Sequence, residues 1–166
     1  MSDVLLRDAT ETDFPRILAL NDAEVQHTSA MDAARLQWLH ERAGYHRVAC
    51  VDGEVAAFLL AFRDGADYPN PNFDWFAARY PRFLYVDRVV VDAAFNGRGL
   101  GSQLYRDVFE HARAQGAAVV TCEFNLVPPN EASARFHARW GFAEVGRQWL
   151  DGGKKQVSLQ AAPVPG

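Results

Sequence analysis

Cysteine is scarce. Cys50 and Cys122 are the only two in 166 residues, and each lies inside a β-branched apolar stretch. Two thiols cannot build a disulfide framework or a zinc site, so both read as reduced core residues and no metal is expected. Long hydrophobic runs are missing as well. The longest, Val55 to Phe62, is far short of the roughly 20 residues that cross a bilayer, and Met1 to Arg7 lacks a signal-peptide pattern. A cytoplasmic protein with no membrane partner is expected. Apart from Lys154-Lys155 there is no basic run, and the formal net charge is -4. A nucleic-acid partner, which needs a basic stripe, is therefore not expected. Internal repeats, low-complexity blocks and linkers are also lacking.

The residues present, 49% of them hydrophobic, suffice for one domain with a sizeable core. We assign 1–161 to that domain and 162–166, with two prolines and a glycine, to a frayed tail. Val4 to Arg7 reads as a strand. Thr10 with Asp13 resembles an acidic capping box before a helix reaching Leu20, and a second helix covers Asp32 to Arg42. His46–Val51 and Glu54–Phe62 flank Asp52-Gly53, a strong hairpin signal. Arg63 to Arg82 reads as an insertion over a site, with a short helix at Asp74–Tyr80. Phe83–Val91 is the best strand. A glycine loop follows, then a helix with Leu100, Leu104, Val108 and Ala112 on one face and Gly116 as its stop. Ala118–Phe124 is a strand, Asn130 caps a helix ending at Trp140, and Phe142–Val145 with Gln156–Leu159 form a last pair. The fold class is α/β (α+β), with a mixed, mostly antiparallel sheet flanked by helices.

Asn96-Gly97-Arg98-Gly99-Leu100-Gly101 joins the strong strand to the amphipathic helix. Backbone N–H groups and the dipole at such a helix start favour an anion, and glycines allow close approach and positive φ. A pyrophosphate is the natural occupant. Gly97, Gly99 and Ser102 come within one residue of the dinucleotide fingerprint, with Glu123 about 20 residues on. However, Asp92 to Asn96 separate the loop from its strand, and an antiparallel hairpin precedes it. A Walker A loop is excluded because no Gly-Lys-Ser/Thr follows.

The stretch from Val89-Val90-Val91-Asp92 to Gly99-Leu100-Gly101 resembles the acetyl-CoA motif of the GNAT superfamily of acyl-CoA N-acyltransferases, with Asn96 where Arg or Gln is usual. Asn130 to Phe142, with Phe136-His137 and Gly141-Phe142, is similar to the same family's second signature. The resemblance is strong from Phe83 to Gly146. It implies a sheet splayed after the strand that precedes the glycine loop, with acetyl-CoA as co-substrate and an amine acceptor. Backbone at Val89 to Val91 would meet the pantetheine arm, N–H groups from Gly97 to Ser102 the pyrophosphate, and Asn130 and Phe136 the pantetheine. Asn130 also reads as a helix cap, and Phe136 as core.

Acyl transfer to an amine needs a base, because an alkylammonium is mostly charged at neutral pH. Alternation along the strand predicts that Tyr85, Asp87, Val89 and Val91 share one face. Glu123 and Asp87 are the base candidates, with water as the alternative. His137 stands where the family commonly has a proton-donating tyrosine, and Tyr85 is the other donor considered. Glu24, His27, Tyr68 and Trp75 are the expected acceptor contacts, and the aromatics with Glu24 and Glu123 suit a cationic acceptor. A small molecule or a peptide fits equally, and the sequence permits a homodimer. The competing readings are a non-catalytic CoA-sensing module and a dinucleotide-dependent oxidoreductase.

Overall fold

The structure, a computed structural model, describes residues 3–25, 28–127 and 129–165. Five helices flank a seven-stranded sheet among these residues. In chain order they are β1 (Val4–Asp8), α1 (Phe14–Ala23), α2 (Ala33–Arg42), β2 (Tyr45–Val51), β3 (Glu54–Arg63), α3 (Pro71–Ala77), β4 (Phe83–Val91), α4 (Leu100–Ala114), β5 (Val119–Val127), α5 (Glu131–Arg139), β6 (Ala143–Leu150) and β7 (Lys155–Pro163). The strand order is β1-β2-β3-β4-β5-β7-β6, and only β4–β5 is parallel. A parallel neighbour requires a crossover, and α4 supplies it.

Local signals explain most boundaries. Asp52 and Gly53 take φ of 51° and 84°, as a two-residue hairpin turn demands. Asp13 accepts from the Thr10 N–H at 2.8 Å and from both Arg7 guanidinium nitrogens at 2.8 Å, tying the start of α1 to β1. Asp32 caps α2 by accepting from the Arg35 N–H. α3 starts earlier than expected, because Asn70 accepts from the N–H groups of Asn72 and Phe73 and Pro71 takes the first helical position.

Each face of the sheet holds its own core. Phe14, Ile17, Leu36, Leu39, Phe73 and Phe76 pack one face beneath α1, α2 and α3. Leu100, Leu104, Tyr105, Val108 and Ala112 pack the other beneath α4. Each of the leucine, isoleucine, valine and phenylalanine side chains, fully buried, stabilises by about 1.5–3 kcal/mol. β7 runs to Pro163, not to Leu159, and Ala162 is buried opposite Val120 while Val164 N–H bonds Ala118 C=O at 3.0 Å. The free edge of β5 needs a partner along its length, so the strand continues where a frayed tail was expected.

Candidate active site

β4 and β5 pair only at Phe83↔Val119, Leu84↔Val120 and Tyr85↔Thr121. Beyond Tyr85 each strand keeps its outer neighbour and loses the other, and a cleft of about 630 Å³ opens between them. Asp92 N–H bonds Ala56 C=O on β3, so by alternation Val90 also bonds toward β3. The backbone groups of Val89 and Val91 therefore point to the open edge.

At one end of this edge lies the glycine loop. Gly97 and Gly99 have φ of 82° and 72°, and a Cβ at either would meet nothing within 4 Å. Their backbone conformation, and not crowding by the protein, requires glycine. Gly99 opens α4 without a side-chain cap, which leaves the first-turn N–H groups available to a ligand. An open cradle, uncapped donors and a free strand edge fit the pyrophosphate and amide-bearing arm of acetyl-CoA. Asn96 and Gly101 line the cleft, with Phe136 lying 3.5 Å from a Cβ placed on Gly101. The Leu100 side chain instead belongs to the core under α4, so only its backbone can serve a ligand. Gly97, Arg98, Gly99 and Ser102 stand outside the cleft lining. Asn130 both lines the cleft and caps α5, accepting from Ser133 N–H at 3.2 Å.

The expected alternation along β4 is broken. Leu60 pairs with Arg88 and Ala61 with Val86, which makes Asp87 the extra residue of a β-bulge. Tyr85 consequently packs on the α1–α3 face while Val89 and Val91 pack toward α4. The bulge also lets neighbours in sequence meet: Arg88 Nε donates to Asp87 Oδ2 at 2.6 Å, both side chains being buried. Tyr68 Oη donates to the other Asp87 oxygen. The remaining Arg88 donors reach Asn21, the Ser29 carbonyl and Ser29 Oγ at 2.9–3.1 Å, joining the end of α1 and the loop after it to β4.

Glu123, on β5, faces the same side as Tyr85, whose hydroxyl donates to its two carboxylate oxygens at 2.7 and 2.9 Å. Part of its surface opens on the cleft, yet protein encloses it deeply. Burial pushes the Glu123 carboxyl up to about 8; the Tyr85 hydrogen bond pulls against this and the Asp87 charge adds to it. Desolvation first, then the charges of Glu123 and Asp87, raises the Tyr85 phenol well above its ordinary value.

His137, on α5, is a buried residue. It is 5% exposed, with Nδ1 2.7 Å from the Ser133 carbonyl and Nε2 2.7 Å from Tyr105 Oη. A carbonyl only accepts, so the neutral ring carries its proton on Nδ1, and Nε2 accepts from the Tyr105 hydroxyl. Burial lowers the imidazole below its usual range, the Ser133 bond resisting. Its environment therefore favours the neutral imidazole over an imidazolium donor.

Glu24 and Tyr68 line the cleft. Trp75 does not: its ring covers Gly146, where an added Cβ would come within 2.4 Å, and Arg79 stacks on it at 3.7 Å. Its role in the fold is structural. His27 lies outside the described residues. Sequence reasoning missed Asn72, Tyr105 and Lys155, all on the cleft wall. The Asn70-Pro71 start signal would have placed Asn72 there, whereas Tyr105 reads as one more core residue of α4.

Among the described residues no three His, Cys, Asp or Glu side chains gather as metal ligands, and no helix is long and apolar enough to cross a membrane. The profile of the acetyltransferase (GNAT) family matches residues 6–142. The L-methionine sulfoximine/L-methionine sulfone acetyltransferase of Pseudomonas aeruginosa is 32% identical over 172 residues, covering 93% of this chain and 94% of that protein. Ard1 of Thermoplasma volcanium superposes with a TM-score of 0.79 at 18% identity, covering 98% of this chain and 99% of that one. YncA of Salmonella typhimurium, solved with its cofactor acetyl-CoA, superposes at 0.72 with 21% identity, covering 98% and 94%. The structural likenesses establish the fold, and the profile with the full-length relative establishes the family: this chain is an enzyme of the acetyltransferase (GNAT) family.

Proposed function

We propose that the cleft moves an acetyl group from acetyl-CoA directly to the amine of a small-molecule or peptide acceptor, with Glu123 as the base. Acetyl-CoA supplies a thioester acyl group activated for attack by a neutral amine. What supports this reading most is the Glu123 carboxyl, held by Tyr85 where the strands part and brought by burial to about 8. A carboxylate of ordinary pKa is a poor base toward an alkylammonium near pKa 10, and one near 8 is far better matched. The amine nitrogen bonds to the acyl carbon, the carbon–sulfur bond breaks, and one amine proton passes to Glu123. Glu123 passes that proton on to the departing thiolate, directly or through water, so neutral amine and thioester give amide and thiol and the carboxylate is regenerated.

The other residues bind and orient. The open-edge backbone of Val89 and Val91 would hold the pantetheine arm, and the Val91 N–H would polarise the acyl carbonyl. Losing one such donor costs about 10²–10³ in rate. The loop N–H groups from Gly97 to Ser102 would hold the pyrophosphate. Asp87 is engaged by Arg88 and Tyr68, which makes it a positioning residue in place of the second base candidate. Direct transfer is further supported by Cys122: burial raises this cleft thiol well above its ordinary value, so it offers no thiolate for an acyl-enzyme. Two buried free cysteines suit a reducing compartment, and we place the enzyme in the cytoplasm.

The test is a panel of amines with acetyl-CoA, read by free thiol release. Turnover with at least one amine, abolished in Glu123→Gln while acetyl-CoA still binds, is the expected result. Absence of turnover across the panel would make a CoA-sensing module the better account.

A further inference from the structure

The loop that would receive the pyrophosphate is exposed. Of residues 93–99 only Phe95 is half-buried, and a Cβ at Gly97 or Gly99 would touch nothing within 4 Å. Such a segment gains little order from packing, and its glycines lose more conformational freedom than other residues when they are fixed. Donors that must meet a ligand in one arrangement are then held from the two ends of the loop. α4 supplies one end, and Asp92, the residue after β4, supplies the other.

Asp92 commits every polar group it has. Its N–H donates to the Ala56 carbonyl on β3 at 2.8 Å, and its own carbonyl accepts from Phe95 N–H at 2.8 Å. Oδ1 accepts from Ala94 N–H at 2.9 Å and closes the single 3₁₀ turn that opens the loop. Oδ2 accepts from Nη2 of Arg16, on α1. Arg16 is itself fixed: its Nε donates to the Val55 carbonyl at 3.0 Å, its Nη2 stands 3.5 Å from Glu54, and the next residue, Ile17, is fully buried. The guanidinium thus bridges the start of β3 and the exit of β4, and it ties the loop to a helix on the face of the sheet opposite α4.

An ion pair as exposed as this one, with side chains 34% and 21% accessible, contributes little to global stability. Its effect is local. A planar fork that bonds a carboxylate and a carbonyl together sets the direction of both, and donors ordered in advance spare a ligand the entropy of ordering them.

We propose that Arg16, which stands outside the cleft lining, is a positioning residue for acetyl-CoA: it acts through Asp92 to hold the loop in the arrangement that receives the pyrophosphate. The proposal rests on the pyrophosphate reading of that loop.

The experiment measures binding to the full-length enzyme by calorimetry with two probes, acetyl-CoA and S-acetylpantetheine, which keeps the thioester and the arm but has no pyrophosphate. Arg16→Ala should weaken acetyl-CoA by about 3- to 10-fold, the cost of ordering one or two mobile groups, and leave S-acetylpantetheine unchanged. Asp92→Asn, which keeps an acceptor for Ala94 and loses the charge, should have a similar effect, and the double variant should be no worse than either single one. Arg16→Lys should recover part of the loss, since an ammonium lacks the fork that serves both partners. Urea midpoints of the Arg16 variants should stay close to the wild type. Unchanged acetyl-CoA affinity in Arg16→Ala, equal weakening of both probes, or additive losses in the double variant overturn the assignment while the pyrophosphate reading stands. If the wild type binds acetyl-CoA no more tightly than S-acetylpantetheine, the pyrophosphate reading falls and this one falls with it.

Discussion

The two walls of the cleft carry the same pairing, a buried tyrosine hydroxyl against a titratable side chain, with opposite results. On the α1–α3 side Tyr85 meets Glu123, and on the α4 side Tyr105 meets His137. Desolvation favours the neutral form in both places. For the acid that means a higher pKa, about 8, close to where proton transfer at neutral pH is efficient. For the base it means a lower one, so His137 is neutral where it was expected to act as an acid. One physical cause would thus suit the Glu123 wall to the proposed proton transfer and leave His137 with no proton to give as an imidazolium. Titratable character near a thioester therefore says little until the direction of the shift is known.

The largest effect should come from breaking the Glu123 wall. Glu123→Gln keeps an acceptor for Tyr85 but cannot take a proton, and kcat should fall by about 10²–10⁴-fold with acetyl-CoA affinity retained by calorimetry. His137→Phe, on the other wall, should lower kcat by less than about tenfold, because that ring supplies no proton at neutral pH. Its cost is to stability: a buried Tyr105 hydroxyl without a partner destabilises by about 1–3 kcal/mol, measurable by urea unfolding. A large rate loss with unchanged stability would reverse the assignment of the two walls.

A third buried group sharpens the same contrast. His46 is 7% exposed, shares a 2.8 Å Nδ1–Nδ1 hydrogen bond with His40, and is brought to about 4 by burial first and by the His40 charge second. Its folded pKa lies below the unfolded value of about 6.5, so the unfolded chain protonates first. This contribution is complete above about pH 6.5 and is lost as pH falls toward about 4, on the order of 3 kcal/mol in all. His46→Phe should therefore lose less stability than the wild type between about pH 7 and pH 4.5. Equal losses would mean that His46 is not held neutral.

The smallest effect concerns the pH profile. A base of pKa about 8 is roughly one-tenth ionised at pH 7 and nine-tenths at pH 9. Deprotonation of the acceptor amine is common to wild type and Glu123→Gln, so the ratio of their kcat/KM values isolates the carboxyl. That ratio should rise about tenfold between pH 7 and pH 9. A flat ratio removes Glu123 from the proton path.

Boundaries set by local chemistry were legible in the sequence: the Asp52-Gly53 turn, the glycines before α4, and the cap at Asn130. The facing of Glu123 and Tyr85 was not legible, because it depends on the Tyr85↔Thr121 register that neither strand shows alone. What also failed was the continuation of period-two alternation past Tyr85. Nothing in Val86-Asp87-Arg88 marks an extra residue, because a bulge is a property of the register with β3 and not of one strand. Asp87, expected to share a face with Val89, is thereby turned to Arg88 and Tyr68. Tyr105 stayed hidden for a different reason: on an apolar helix face its ring reads as packing, and only the tertiary approach of His137 gives its hydroxyl a function.

The three β4–β5 pairs also bear on the order in which the chain assembles. β2 and β3 close through a tight turn, whereas β4 and β5 meet only after the whole α4 crossover is in place. Loop-closure entropy delays such non-local parallel pairing relative to hairpins. The nascent chain can thus gather β1 to β4 before any fork exists, and the cleft-lining groups of β4 and β5 come together at one of the latest junctions of the sheet, held by only three residue pairs.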